Sequence, residues 1–276
     1  MKTFLRRTFS TVILLTLFFA SIFWKGTPGR MLFSLLAILL SFFALREFTV
    51  ILRKAGIPAD VRFTPLFAGL TVIPSLCGHL EYSALAAGLY IVHSWSLFLV
   101  SKNEKEAMFR ILNSTAAYFL FTIPVIMIVL VYQRNPILFL FLVLVTKISD
   151  IGAYVTGTVT NALTKGGNHK MIPSISPGKS YEGAVGGLLS AVAASFIIWP
   201  HCGLMGTLWF PAVAGVVLFF GSMAGDLAES AFKRTCQVKD SGNFLPGIGG
   251  IFDLVDSLLI NGVLFFLFLS LFVPAA

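Results

Sequence analysis

Charge is scarce in this chain, and acid is scarcer than base. Of 276 residues 12% are charged, with 12 Asp and Glu against 20 Lys and Arg, while 57% are hydrophobic and 28 are Phe. No segment is long and polar enough to fold as a separate soluble domain. The mean hydropathy of +0.90 therefore indicates a polytopic membrane protein. The net charge of +8 is scattered over short loops, which favours topology and lipid headgroup contacts over nucleic-acid binding.

Cysteine is rare as well, and the spacing of the three cysteines argues against disulfides and against a zinc site. Cys77, Cys202 and Cys236 show neither paired spacing nor a neighbouring His at metal-ligand spacing. We therefore expect free thiols rather than disulfides or a zinc site. A good small-x-small cleavage site is also lacking after the apolar run at 11–24, and a second run follows at once. We expect a retained first span rather than a cleaved signal peptide.

Long apolar runs dominate the rest of the chain. They predict an all-α polytopic membrane fold with about nine transmembrane helices. The runs lie at about 9–24, 31–46, 64–79, 83–101, 111–132, 136–157, 183–200, 206–228 and 254–273. We divide the chain into an N-terminal transmembrane region, 1–135, and a C-terminal transmembrane catalytic region, 136–276. The amphipathic segment 46–54 is predicted to continue the second span as an interfacial helix.

The basic residues orient these spans. With the N-terminus in the cytosol, the outer loops hold only Lys25, Arg30 and Arg134, as the positive-inside rule expects. This orientation puts the 158–182 and 229–253 loops together on the cytosolic side, and the active site at the cytosolic membrane interface. We expect a bacterial cytoplasmic (inner) membrane.

The few acidic residues of the second half are concentrated. Beyond Glu106, each lies at or near the end of an apolar run: Asp150, Glu182, Asp226, Glu229, Asp240, Asp253 and Asp256. Five of them fall between Asp226 and Asp256, interleaved with Lys233, Arg234 and Lys239. Charge is costly near hydrocarbon, so this density favours a functional site.

The first part of that segment has two interpretations. Asp226, Glu229 and Lys233 are spaced i, i+3 and i+7, so they share one helix face. An intrahelical ion pair at the membrane interface accounts for this spacing as well as a catalytic site does.

The second part adds chemistry. A Gly- and Pro-rich turn at 245–250 lets backbone N–H groups approach an anion closely. Asp253 and Asp256 follow, three residues apart, where a helix resumes. Together with Asp226 and Asp240 they supply hard oxygen ligands for Mg²⁺. Carboxylates, cations and a glycine loop are the usual parts of metal-assisted phosphoryl or nucleotidyl transfer.

The other cytosolic loop carries hydroxyls, glycines and a lysine. Ser176, Lys179 and Ser180 open the seventh span, and a helix N-terminus beside a lysine is a reasonable anion site. The alternative is a capped helix start, with Ser180 or Ser176 as the cap. A P-loop is rejected, because Pro173 stands where its first glycine would be.

Asp150 lies toward the cytosolic end of the sixth predicted span, with Lys147 one turn earlier. An ion pair between the two would make both tolerable in the bilayer. The functional alternatives are a ligand to the same metal site and a proton or ion relay.

Three stretches of the C-terminal half resemble, in the expected order, the motifs of phosphatidate cytidylyltransferases, also called CDP-diacylglycerol synthases. They are Asp150-x-x-Ala153-Tyr154-x-x-Gly157, then Ser176-Pro177-x-Lys179-Ser180-x-Glu182-Gly183, and then Ser230-x-Phe232-Lys233-Arg234, four residues, Lys239-Asp240-x-Gly242, two residues, Leu245-Pro246-x-x-Gly249-Gly250-Ile251-x-Asp253-x-Val255-Asp256. The resemblance covers about 140–273, whereas the N-terminal half matches only as a set of spans.

The resemblance implies an enzyme of phospholipid biosynthesis that joins CTP and phosphatidate into CDP-diacylglycerol, releases pyrophosphate and uses Mg²⁺. It implies these catalytic residues: Asp226, Lys233, Arg234, Lys239, Asp240, Asp253 and Asp256. It implies these substrate-binding residues: Ser176, Lys179, Ser180, Glu182, Gly249, Gly250 and Asp150. The metal ligands that it implies are Asp226, Asp240, Asp253 and Asp256. Expected partners are CTP, phosphatidate and membrane lipid, without nucleic acid, and a homodimer is left open.

Two positions depart from the family pattern, which usually has His where this chain has Ile248 and Arg where it has Leu254. Neither substitute can donate a proton or hold a phosphate, so a lower rate, a changed preference and a lost activity stay open. The intact polar set favours an active enzyme. Two rival functions are a CTP-dependent polyprenol kinase, which differs in its product, and an ion-coupled transporter based on Lys147 and Asp150.

Overall fold

Helices make up almost all of the described chain. The computed structural model describes residues 2–203, 208–242, 244 and 249–273. Within these ranges the α-helices are α1 Lys2–Phe23, α2 Thr27–Lys54, α3 Phe63–Leu76, α4 Leu80–Leu99, α5 Glu104–Arg134, α6 Pro136–Leu163, α7 Tyr181–Ile198, α8 Trp209–Thr235 and α9 Ile251–Phe272. Each predicted span overlaps one of these helices.

Seven of the helices are long and apolar enough to cross a bilayer. They are α2, α4, α5, α6, α8, α9, and α7 together with the 3₁₀ turn Trp199–Cys202 that follows it. The apolar part of α1, Thr8–Phe23, and the whole of α3 are shorter than the roughly 20 residues that a perpendicular crossing needs. The all-α membrane class is therefore confirmed, with seven helices that qualify as spans on length and composition.

A small β-hairpin corrects the purely helical prediction. β1, Lys170–Ile172, pairs antiparallel with β2, Ser176–Ser180. Ser176 precedes a proline, which favours extended backbone, and it lies in the strand rather than at a helix start. The cap of α7 is Ser180, whose Oγ accepts a hydrogen bond from Gly183 N at 3.1 Å. Of the two residues expected as caps, Ser180 is confirmed.

Helix α2 runs without a break from Thr27 to Lys54, so it includes the segment predicted as an interfacial continuation of the second span. Ile51 and Leu52 of that segment are buried. The apolar residues of this segment are therefore buried, as its amphipathic pattern suggests. The segment itself is the last part of helix α2.

The cysteines are free thiols, as expected. Cys77 is exposed, whereas Cys202 and Cys236 are buried. Burial raises the pKa of the Cys236 thiol, which lowers the fraction of reactive thiolate near neutral pH.

Two compact units divide the chain. The first comprises Met1–Val129 and Thr235–Val255, and the second comprises Leu130–Arg234 and Asp256–Ala276. The predicted boundary at residue 135 divides the chain by position in sequence. These units divide it by contact, so the described part of Thr235–Val255 groups with the N-terminal helices.

In the second unit, small residues let α6 and α7 approach closely. A Cβ on Gly183 would lie 2.8 Å from Ala153 O, and one on Gly187 would lie 3.1 Å from Ser149 O. Close approach through small residues is a common way to pack membrane helices, since lipid offers no hydrophobic drive between them. The contact holds Asp150, on α6, beside the hairpin that leads into α7.

A buried amide joins three helices of the same unit. Asn261 on α9 is fully buried and donates from Nδ2 to Thr146 Oγ1 of α6 at 2.8 Å and to Leu218 O of α8 at 3.0 Å. We expect Asn261→Leu to lower the free energy of unfolding by about 1 kcal/mol, because hydrogen bonds between membrane helices contribute modestly. Equilibrium unfolding in mixed micelles measures this difference.

The control is Ser270→Ala on the same helix, because Ser270 is exposed and its hydroxyl donates to Phe266 O one turn earlier on α9 itself. An Asn261→Leu protein as stable as the Ser270→Ala protein would contradict the assigned role of the amide.

Candidate active site

Carboxylates from three helices of the second unit come together. They are Asp150 on α6, Asp226 on α8 and Asp256 on α9. Asp226 interacts electrostatically with both of the others. Helices α8 and α9 touch beside this point, because Gly225 has no side chain: a Cβ there would lie 2.6 Å from Ser257 Cα. A glycine next to Asp226 thus allows Asp226 and Asp256 to approach.

Two lysines neutralise part of this charge. Lys179 Nζ lies 3.1 Å from Asp226 Oδ2, and Lys147 Nζ lies 3.7 Å from Asp150 Oδ2. Lys147 also donates to Ser257 Oγ at 3.4 Å. We call Lys147, Asp150, Lys179, Asp226 and Asp256 the carboxylate–lysine cluster. It contains three acids and two bases, so its formal charge is negative when all are ionised.

Hydrogen bonds hold two of the carboxylates in place. Ser222 Oγ donates to Asp150 Oδ1, which ties α8 to α6. Asp256 Oδ1 accepts from Ser257 N at 2.6 Å, and Asp256 is buried. The side chains of Asp150 and Asp226 are 29% and 32% exposed, so these two acids are the ones that solutes can reach.

A cavity of about 460 Å³ opens next to the cluster, within the range of small-molecule sites. Asp150, Lys179 and Asp226 line it, together with Lys170 of β1 and Tyr154 of α6. Its walls come from α6, the hairpin, α7 and α8, all within the second unit. The cavity combines an apolar surface with two lysines, a combination suited to an anionic ligand.

The hairpin presents three predicted substrate-binding residues to the cavity, Ser176, Lys179 and Ser180, and Ser180 also holds the start of α7 in shape. Ser180 caps α7 and also lies 3.5 Å from Asn168 Nδ2. Glu182 Oε1 pairs with His169 Nδ1 at 2.8 Å and accepts from His169 N. A substrate contact by Glu182 stays a prediction, and in this structure its carboxylate fixes the start of the hairpin.

The end of α8 shows the ion pair that the sequence left open. Lys233 pairs with Glu229 one turn earlier, and Glu229 is buried. Arg234, Lys239 and Asp240 are exposed. The roles of Lys233, Arg234, Lys239 and Asp240 in catalysis stay predictions.

In the first unit, Asp253 forms an unexpected set of contacts. Its carboxylate accepts from Ser241 N and from Gly250 N, the latter at 3.1 Å. Gly250 precedes the first residue of α9, so Asp253 reaches back to the helix start as the third residue of a capping box does. Gly249 has a φ of +124°, which only glycine adopts readily. Ile248 lies outside the described residues, and Leu254 is half-buried in α9.

Comparison with known proteins decides the family. The sequence model of the cytidylyltransferase family matches residues 5–272. The protein belongs to the cytidylyltransferase family. A phosphatidate cytidylyltransferase of Staphylococcus saprophyticus is 32% identical over 262 residues, which are 90% of this chain and 93% of the relative. The uncharacterized protein YnbB of Escherichia coli K12 is 34% identical over 243 residues, 84% of this chain and 76% of YnbB.

A phosphatidate cytidylyltransferase of Mycobacterium tuberculosis is 38% identical over 144 residues, 51% of this chain and 42% of that protein. The family match extends over the N-terminal half as well, which the sequence motifs alone recognised only as a set of spans.

Sequence reasoning left out several residues of this cytidylyltransferase that the structure puts next to the predicted ones. The sequence predicts Lys147 as a partner for Asp150 and, in the transporter alternative, as a functional residue; the structure adds its contact with Ser257. Ser222 and Lys170 have no motif spacing that would single them out. Glu47 on α2 is the least expected, because it contacts a loop about 200 residues later in the chain.

Proposed function

We propose that the protein transfers the cytidylyl group of CTP to phosphatidate, forming CDP-diacylglycerol and pyrophosphate. The observation that carries this is the carboxylate–lysine cluster beside a cavity, in a chain whose relatives of nearly full length are named phosphatidate cytidylyltransferase. A CTP-dependent lipid kinase and an ion-coupled transporter are not favoured, since the comparisons support the cytidylyltransferase family.

The reaction needs little covalent chemistry from the protein. A phosphate oxygen of phosphatidate attacks the α-phosphorus of CTP, an O–P bond forms, and the bond between the α- and β-phosphates breaks to release pyrophosphate. The protein's task is to position two anions and to stabilise the charge on the equatorial and leaving oxygens. Lys179, in the cavity wall, and Lys147 are the cations of the cluster suited to it. Lys233, Arg234 and Lys239 are proposed to serve the triphosphate and the lipid phosphate.

The donor set fits Mg²⁺. In the described part of the chain, no group of three or more His, Cys, Asp or Glu side chains is arranged as a complete metal site. Mg²⁺ does not need one, because it commonly takes one or two carboxylates and fills its octahedron with water and substrate phosphate. Asp226 and Asp256 are the proposed ligands within the cluster, with Asp240 and Asp253 as further candidates. A bound Mg²⁺ would supply positive charge to the phosphate oxygens.

The membrane arrangement is part of the proposal. We infer nine crossings with a cytosolic N-terminus, so that α1 and α3 cross in spite of their length. The scarcity of Lys and Arg in the outer loops supports this orientation. The 158–182 and 229–253 loops then face the cytosol, where CTP is available. The bacterial relatives support an inner-membrane location, and a homodimer stays a prediction.

Incorporation of labelled CTP into chloroform-soluble lipid tests the proposed function. Purified full-length protein with phosphatidate and Mg²⁺ is expected to form labelled CDP-diacylglycerol, and omission of phosphatidate should abolish it. Label from [γ-³²P]CTP should appear in pyrophosphate and not in lipid. A lipid monophosphate carrying the γ-label would show a kinase instead and would overturn the proposal.

The same assay addresses the two departures from the family pattern. A parent protein with normal turnover would show that Ile248 and Leu254 are tolerated. An inactive but folded parent that gains activity with Ile248→His and Leu254→Arg would show a lost activity rather than a changed substrate.

A further inference from the structure

The start of α9 receives a carboxylate from a helix far away in the sequence. Glu47 of α2 accepts a hydrogen bond through Oε2 from Phe252 N at 2.9 Å and from Ser241 Oγ at 3.2 Å. The first N–H groups of a helix have no partner within the helix. A carboxylate there satisfies one of them and complements the positive end of the helix dipole. Glu47 thus caps α9 in place of a residue from the preceding loop.

Glu47 and Asp253 together connect Ser241, in the loop between α8 and α9, to the start of α9. Asp253 holds Ser241 N and Gly250 N, while Glu47 holds Ser241 Oγ and Phe252 N. Ser241 is therefore bound by both carboxylates, which connect this loop residue to Gly250 and to the first turn of α9. We call Glu47, Ser241, Gly250, Phe252 and Asp253 the loop clamp. All five belong to the first unit.

Two glycines of the third family motif, Gly242 and Gly250, leave room for the side chain of Glu47. A Cβ on Gly242 would lie 2.6 Å from Glu47 Oε1. A Cβ on Gly250 would lie 2.5 Å from Glu47 Oε2 and would overlap Ser241 Oγ. Glycine is thus required at both positions if Glu47 is to reach the backbone. Gly250, which the sequence assigned to anion binding, thus lies against an acid of the protein in this structure, as does Gly242.

Aromatic contacts along the same helix reinforce the clamp. Phe48 packs edge-to-face on Phe252 with ring centroids 5.6 Å apart. One turn earlier, Phe43 packs on Phe244, in the middle of the loop, at 4.4 Å. Helix α2 therefore contacts Ser241 and Phe244 of the loop and Phe252 of α9, and Glu47 makes the polar contacts with Ser241 and Phe252.

We propose that Glu47 is a positioning residue for the cytidylyl transfer: its carboxylate fixes the loop that bears Lys239 and Asp240 and the first turn of α9, which carries Asp256 in its next turn. This inference rests on the proposed function. Glu47 need not touch either substrate. It acts through the backbone of Phe252 and the side chain of Ser241.

The test compares Glu47→Ala with Glu47→Gln in full-length protein, using labelled CTP and phosphatidate. A displacement of about 1 Å at a reacting group can cost about 100-fold in rate, so we expect kcat of Glu47→Ala to fall by about tenfold or more. Glu47→Gln keeps an oxygen that can accept from Phe252 N, and it should retain more activity. Since Ser241 shares the contact, Ser241→Ala should add little in the Glu47→Ala background.

Hydrogen exchange of the backbone separates positioning from general destabilisation. In Glu47→Ala, peptides that cover 241–252 should exchange faster while those from α6 and α7 do not change. The matched control is Glu106→Ala, which removes an exposed acid paired with Arg110 on α5 and should change neither readout. Unchanged exchange at 241–252, or loosened exchange with an unchanged kcat, would overturn the proposal.

Two further outcomes are distinguishable. If Glu47→Ala does not fold, Glu47→Gln carries the test, and parent-like exchange and kcat in that variant would overturn the proposal. If the parent makes no CDP-diacylglycerol, the proposed function fails. Faster exchange confined to 241–252 would then still support the clamp.

Discussion

Asp226→Asn should lower the rate of CDP-diacylglycerol formation by about two to three orders of magnitude, the loss typical of a group that stabilises charge directly in a transition state. Asp226 lies in the cavity wall beside Asp150, and its carboxylate pairs with Lys179 at 3.1 Å. Asparagine keeps the size and removes the charge. Initial rates of label transfer from CTP into lipid, at saturating phosphatidate, measure the effect.

A control acid outside the cluster shows that the loss is local. Glu104→Gln removes an exposed carboxylate in the first turn of α5 and should leave the rate within about twofold of the parent, as surface substitutions usually do. Both variants should elute as the parent does and melt at a similar temperature. An Asp226→Asn protein with more than a tenth of the parent rate would show that the cluster does not surround the reacting phosphates.

Gly225→Ala should damage the same site without changing any charge. The added Cβ would lie 2.6 Å from Ser257 Cα and 2.9 Å from Asp256 O. These are backbone atoms, so a rotamer change cannot relieve the overlap, and α8 and α9 must separate. A displacement of about 1 Å can cost about 100-fold in rate, and overpacking of this kind costs about 1–3 kcal/mol in stability. Rates and the melting temperature are measured on the same preparation.

The matched control is Gly88→Ala on α4. A Cβ at Gly88 meets no atom within 4 Å, and alanine favours the helix over glycine by about 1 kcal/mol. Gly88→Ala should keep full activity with equal or greater stability. If Gly225→Ala were as active as Gly88→Ala, the close contact of α8 with α9 would not be needed to place Asp226 and Asp256.

The sequence predicts the helices well, because apolar runs and their polar ends record where each one begins and stops. It does not predict the hairpin at 170–180. The segment is short, its strands have no alternating pattern, and Pro and Gly within it indicate a loop. The cap at Ser180 was predictable, since a serine at a helix start commonly accepts a hydrogen bond from the backbone N–H two or three residues later.

The candidate site was predictable in its acids and less so in their partners. Scarcity of charge makes Asp150, Asp226 and Asp256 stand out in an apolar chain. Glu47 could not be predicted in this way, because a contact between residues about 200 positions apart forms no recognisable motif in the sequence. Asp253 was predicted as a metal ligand because it lies in a family motif. In the structure its carboxylate oxygens accept hydrogen bonds from the loop backbone.

The pairing of Lys179 with Asp226 makes binding an exchange of partners. Lys179 Nζ is 3.1 Å from Asp226 Oδ2, so an incoming phosphate oxygen competes with that carboxylate for the lysine. The carboxylate that is displaced becomes available to a cation. In the proposed reaction, the phosphates of CTP would bind Lys179, and a divalent cation bound to those phosphates would meet the Asp226 carboxylate that Lys179 releases. Before a ligand binds, the ion pair thus neutralises the charges of both Lys179 and Asp226.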